Sequence, residues 1–220
     1  MSVLVWDKSE ERRYESGVSK GVLFLKKTDG SGAYESGVVW NGLTGVTESP
    51  SGADVTDLWA DNIKYASLRA AETFGATIEA YMHPDEFYEC DGSVEASEGV
   101  YVGQQSRRPF GFCYRTNIGV GEDSEVGYKL NLVYNATVSP SDKGYETVND
   151  NPDALTMSWE VNTTAVNVTG HKPTAHITID STKVKDKAKL KQLEDKLYGT
   201  SDAESTLPSP DEVLAIFAAA

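Results

Sequence analysis

Tyr128, Leu130, Leu132, Tyr134, Ala136 and Val138 alternate with Lys129, Asn131, Val133, Asn135 and Thr137. Successive side chains of an extended strand point to opposite sides, so this run gathers one apolar face only as a strand; on a helix it would scatter around the circumference. The same period recurs. Leu155, Met157, Trp159 and Val161 alternate with Ser158, Glu160 and Asn162, and Phe110, Phe112, Tyr114 and Ile118 lie opposite Cys113 and Arg115. Segments 22–26, 53–59, 63–70, 76–82 and 174–180 read as further strands. Short connections between them favour antiparallel pairing, so the expected core is all-β and antiparallel.

Within 53–70, Ala60-Asp61-Asn62 reads as a hairpin turn, because Asp and Asn tolerate turn geometry. Leu58, Trp59, Ile63 and Leu68 also fit one helix face; the strand reading is preferred for 56–74. Two helices have better credentials. Residues 186–198 place Leu190, Leu193 and Leu197 on one stripe and stop at Gly199. Ser209-Pro210-Asp211-Glu212 combines a Ser N-cap, Pro at the first helical position and Glu three residues after the cap, just before Val213-Leu214-Ala215-Ile216-Phe217. A shorter helical turn is expected at 84–88, again behind a proline.

Three stretches read as projecting loops: residues 1–19, the Gly/Ser/Thr-rich 28–52, and 139–153 with its Pro, Gly, Asn and Asp. The expected organisation is an N-terminal arm (1–19), a β domain (20–182) carrying the long loop 28–52, and a C-terminal helical segment (183–220). Tyr14-Glu15-Ser16-Gly17-Val18 recurs as Tyr34-Glu35-Ser36-Gly37-Val38. Without a continuing period this reads as two similar entries into strands.

At 220 residues, with 34 acidic against 20 basic side chains, the formal net charge is −14. Such a surface repels phosphate chains and anionic lipid, which argues against nucleic-acid or membrane binding. No signal-peptide pattern opens the chain and no apolar run nears bilayer length, so a cytosolic product is expected. Cys90 and Cys113 then read most simply as reduced, buried thiols, with a single bridge between them as the other option. The glycosylation triplets at Asn135, Asn162 and Asn167 read as chance matches.

Catalytic chemistry finds no foothold. His83 precedes a proline, His171 lies in a turn and His176 in an alternating strand, none beside a recognisable nucleophile or at zinc-ligand spacing from the cysteines. Pairs such as Glu72/Glu79 and Asp85/Glu86 carry little weight among so many acids. Residues 121–125 (Gly-Glu-Asp-Ser-Glu) lack calcium-loop spacing and read as a solvated turn. Gly119 and Gly121 lack the third glycine and helix of a phosphate loop. Arg12-Arg13, Arg107-Arg108 and the lysines of 183–191 sit among acids and aromatics. The expectation is no enzyme, no catalytic or metal site and no cofactor.

Several runs resemble the major tail proteins of long-tailed bacteriophages that infect Gram-positive bacteria. They are 60–65 (ADNIKY), 75–81 (GATIEAY), 84–87 (PDEF), 102–105 (VGQQ), 108–116 (RPFGFCYRT), 128–134 (YKLNLVY), 158–160 (SWE) and 210–213 (PDEV). They span roughly 38–217 in order; 1–19 falls outside, and Ala218-Ala219-Ala220 departs from the pattern. The resemblance implies an antiparallel β-sandwich or barrel with a flanking α-helix, six copies per ring, and rings stacked into a tube around a DNA conduit. Strands of neighbouring copies would join into a continuous barrel, with a long loop, taken here as 28–52, reaching the next ring. Partners would be the protein itself, the tape-measure protein, tail terminator and completion proteins, and genomic DNA passing without specific binding. Location would be the virion tail, assembled in the bacterial host cytoplasm. An acidic lumen would let DNA slide, with Asp54, Asp57 and Glu79 as candidate lining residues. The alternatives are an immunoglobulin-like virion decoration or surface-binding module, and a hydrolase whose site has no recognised motif.

Overall fold

A computed structural model describes residues 6, 8, 11–145, 147 and 154–218. The fold is mainly β, with antiparallel sheets and a few short helices. Its centre is a sheet in the order β2–β1–β11–β12–β13–β8–β3, where β1 is Arg13–Leu25, β2 Val38–Trp40, β3 Leu43–Glu48, β8 Gly75–Ala80, β11 Phe110–Val120, β12 Asp123–Val138 and β13 Met157–Thr163. A further strand, β14 (His176–Asp180), also pairs with β12.

The alternating run at 128–138 is one strand but does not keep one face to one core. Leu130, Leu132 and Tyr134 join a cluster with the helices, whereas Ala136 and Val138 join the cluster between the sheet halves. The parity changes because Asn135 sits at φ 48°, an extra residue in the β11–β12 register between the Phe110–Ala136 and Phe112–Val133 pairs. A bulge of this kind turns all following side chains to the other face. The edge of β12 is correspondingly divided. Residues 129–133 pair with β14, and 136–138 with β13.

Beyond the bulge, β13, β8 and β3 pack over β1, β11 and β12, and β3 comes back into contact with β1, giving a sandwich close to a barrel. Leu23, Leu25, Phe110, Phe112, Tyr114, Ile78, Trp159 and Val161 fill the space between. Trp40 is at its aromatic centre, with Phe87, Phe112 and Trp159 at 4.5, 5.4 and 5.6 Å between ring centroids.

The opposite face of β1–β11–β12 is covered by helices. Helix α2 (Lys187–Tyr198) starts at Asp186, whose carboxylate accepts from Ala188 N at 2.9 Å, and lays Leu190, Leu193 and Leu197 on Cys113, Leu130 and Leu132. Each fully buried leucine contributes about 1.5–3 kcal/mol. Helix α3 (Pro210–Phe217) carries the expected capping box: Ser209 Oγ accepts from Glu212 N, and the Glu212 carboxylate accepts from Ser209 N at 2.8 Å. The turn at 84–88 is a 3-10 turn, Asp85–Phe87, running into α1 (Tyr88–Asp91) and ending at left-handed Gly92.

Two loop readings are corrected. Residues 13–19 of the supposed N-terminal arm belong to β1, whose first five residues are exposed on both faces and so show no apolar alternation. Residues 28–52 contain β2, β3 and β4 (Ser51–Gly52) and are no single free loop; β2 and β3 are held by ladders to β1 and β8. Of the third, 139–145 has no regular structure; 146 and 148–153 lie outside the described residues, as do 1–5, 7, 9 and 10 of the first stretch and Ala219-Ala220.

The cysteines are free and on opposite sides of the central sheet, Cys113 against α2 and Cys90 in the aromatic cluster. The disulfide option is thereby closed.

Candidate assembly interface

Between β3 and β8 the chain leaves the body as a two-stranded arm. Its root is β4 paired with β7 (Glu72–Thr73), and its blade is β5 (Val55–Ala60) paired with β6 (Ile63–Arg69). Ser51 and Thr73 share a 2.9 Å hydroxyl contact at the root. Gly52 and Ala53 both have positive φ, 84° and 57°, which re-aims the ribbon between root and blade. At the tip Asp61 and Asn62 lie at φ 49° and 63°, the left-handed pair that a tight two-residue hairpin requires. The turn read at 60–62 is therefore present, and the helix option for 56–74 is excluded.

The register assigns the faces. Val55/Arg69, Asp57/Ser67 and Trp59/Lys64 pair on one side, and Thr56/Leu68, Leu58/Ala66 and Ala60/Ile63 on the other; Tyr65 is the bulged residue between. The first side carries a polar cluster between the exposed apolar side chains of Val55 and Trp59. Lys64 Nζ lies 2.8 Å from an Asp57 carboxylate oxygen, and Ser67 Oγ donates to the same oxygen at 2.7 Å. The Lys64 ammonium and the Ser67 hydroxyl hold the Asp57 carboxyl below its usual range. The second side is apolar and open to solvent. Leu58, Ile63 and Leu68 are 42, 64 and 57% exposed. A solitary two-stranded ribbon is marginal in water, and a contiguous apolar face of this kind marks an interaction surface.

A second, smaller ribbon has the same character. β9 (Val94–Ser97) pairs with β10 (Val100–Val102), Tyr101 stacks on Tyr88 at 4.2 Å, and Val94, Val100 and Val102 are exposed.

The acids proposed for a lumen do not form one group. Asp57 is neutralised on the blade, and Asp54 lies at the joint, its carbonyl accepting from Ala70 N. Glu79 is on β8, between Ser158 of β13 and Gly45 of β3 in the ladder. With Thr77, Glu160 and Asn162 it makes the outward face of that half-sheet polar, while Ile78 and Trp159 point inward.

The other residues singled out in the sequence are scattered over the body. His83 is buried, its ring edge-on to Trp159. His171 is exposed. His176 stacks on Phe74. Arg108 is engaged by Glu35, by Glu89 at 3.0 Å and by the Lys26 carbonyl at 2.9 Å, binding three segments together. Gly121-Glu122 is the hairpin turn between β11 and β12, and Asp123 accepts from Glu125 N. Among the described residues no group of three or more His, Cys, Asp or Glu is placed to share a metal ion. No helix among them is long and apolar enough to cross a membrane, a statement that leaves strands aside. Sequence reasoning gathered Leu58, Ile63 and Leu68 on one face only for the helix option; as strands they read as ordinary core apolars, and it is their pairing across the Asp61-Asn62 turn that leaves them on one exposed face.

No protein family matches the chain, and comparison with curated proteins finds none significantly similar.

Proposed function

We propose that the protein is a structural assembly subunit, the repeating unit of the tail tube of a long-tailed bacteriophage, forming stacked six-membered rings. The observation that carries this reading is the arm: a two-stranded blade that leaves Leu58, Ile63 and Leu68 bare on one face and Val55 and Trp59 exposed on the other, held clear of the body's own cores. Such a blade is completed by another chain, and a heterologous contact repeated around an axis closes into a ring. The ordered residue runs at 60–65, 75–81, 108–116 and 128–134 supply the phage-tail assignment. In this reading the polar face of the β3–β8–β13 half-sheet lines the conduit, with Glu79 and Glu160 repelling the phosphates of passing DNA. The tape-measure and tail-completion proteins would be the other partners, and the virion tail the place of work.

Negative-stain electron microscopy of the purified protein, with light scattering alongside, tests the reading. Rings or hollow tubes of uniform width are expected. A protein that stays monomeric to its solubility limit, and that decorates a virion or cell surface instead, would replace the tube with a surface-binding module.

A further inference from the structure

The arm's root lies where one imidazole touches both of its ends. Glu48 closes β3 on the way out, and Phe74 precedes β8 on the way back. His176 opens β14; its ring stacks on Phe74 with centroids 4.3 Å apart and planes 19° from parallel. Its Nε2 lies 3.9 Å from a Glu48 carboxylate oxygen and 3.4 Å from Thr178 Oγ1. From β11, Tyr114 donates its hydroxyl to that same Glu48 oxygen at 2.7 Å. From β12, Asn131 accepts from Thr178 at 2.8 Å, and the Thr174 hydroxyl accepts from His176 N at 3.2 Å. Glu48 is thus the charged group facing the ring from β3, Tyr114 the titratable one behind it on β11, and the neighbours from β12 and β14 are neutral. Thr163 Oγ1 donates to the Phe74 carbonyl at 2.6 Å, fixing the other side of the stack.

We propose that the His176–Phe74–Glu48 contact is a proton-sensitive clasp, which holds the arm's root to the body when His176 is neutral and loosens it on acidification. Burial disfavours the imidazolium and outweighs the attraction of Glu48, so His176 is held below its ordinary value. A detached, hydrated root has no such penalty and takes up its proton near pH 6.5. The detached state therefore binds more protons. The clasp's contribution is complete above about pH 6.5 and is lost as the pH falls below it. The arm's attachment is at issue, independently of what its apolar face meets.

Amide hydrogen exchange of the whole protein, at about pH 7.5 and about pH 5.5 and corrected for intrinsic chemistry, reads the clasp directly. Amides of 49–74 are expected to lose protection several-fold at the lower pH relative to β11 and β12, bounded at about tenfold per pH unit by uptake of one proton. His176→Phe keeps a ring on Phe74 and removes the titration, so its arm protection is expected to be the same at both values. In Glu48→Gln, where the counter-charge is gone, the acid loss is expected to deepen. Unchanged arm protection in the wild type, an equal loss in His176→Phe, or no deepening in Glu48→Gln would each overturn the proposal.

Discussion

The Lys26 ammonium donates to the Asn135 side-chain carbonyl at 2.7 Å, tying the end of β1 to the residue at which β12 turns its faces over. Asn135 also donates from its backbone to the Tyr34 hydroxyl and from its side chain to the Thr164 carbonyl. The bulge that divides β12 between two cores is thus held by three separate segments. Asn135→Ala is expected to destabilise the fold by about 2 kcal/mol, combining a left-handed alanine with lost hydrogen bonds. Asn135→Gly, which restores the backbone freedom, should recover roughly half of that. Urea unfolding of both variants measures the difference.

The two core tryptophans differ in one atom's fate. Trp40 Nε1 donates to the Met82 carbonyl at 2.9 Å, whereas the buried Trp159 Nε1 has no partner among the described residues. Replacing either by Phe removes similar volume, but only Trp40→Phe removes a hydrogen bond. Trp40→Phe is therefore expected to cost about 1 kcal/mol more than Trp159→Phe in equilibrium unfolding.

Leu58 and Leu68 contribute to no intramolecular core cluster. The double substitution Leu58→Ser, Leu68→Ser should leave the monomer's stability within about 0.5 kcal/mol of wild type. Self-association, followed by light scattering, should be abolished. A large fall in melting temperature would instead make the blade part of the monomer's own core.

Both thiols are poor nucleophiles. Burial pushes the Cys113 thiol up to about 12, and burial also raises Cys90. At about pH 8 neither should react with a thiol reagent until the protein unfolds, and both should then label together. Fast labelling of one alone under native conditions would contradict its packing.

Helix α3 was fully legible in the sequence, because Ser209, Pro210 and Glu212 carry the whole instruction within one turn. The same holds for the blade's turn at Asp61-Asn62, and for α2 with Leu190, Leu193 and Leu197. What escaped was set by distant partners. Val38 and Val39 pair with Leu23 and Val22, so the three-residue β2 has no signature of its own inside a Gly/Ser-rich stretch. Arg13–Ser16 form a ladder with residues 117–120, yet their side chains are exposed and polar. The face change at Asn135 also went unseen, since the alternation continues unbroken through it in sequence while reversing in space. The exposed apolar face of the blade was hidden for a related reason. An apolar strand face looks the same in sequence whether its own chain or another covers it.

The long separation between β1 and β11 orders events during synthesis. Leu25 must wait for Phe110, and β12 for β13 and β14, before either core can close. The blade needs only Val55 to meet Arg69 across a tight turn, a step of about microseconds. A nascent chain therefore exposes Leu58, Ile63 and Leu68 on a transient ribbon well before the ribosome has delivered the strands that complete the body. Premature pairing of ribbons on neighbouring chains is the natural misfolding route, one that dilution, or a chaperone covering the ribbon, would suppress.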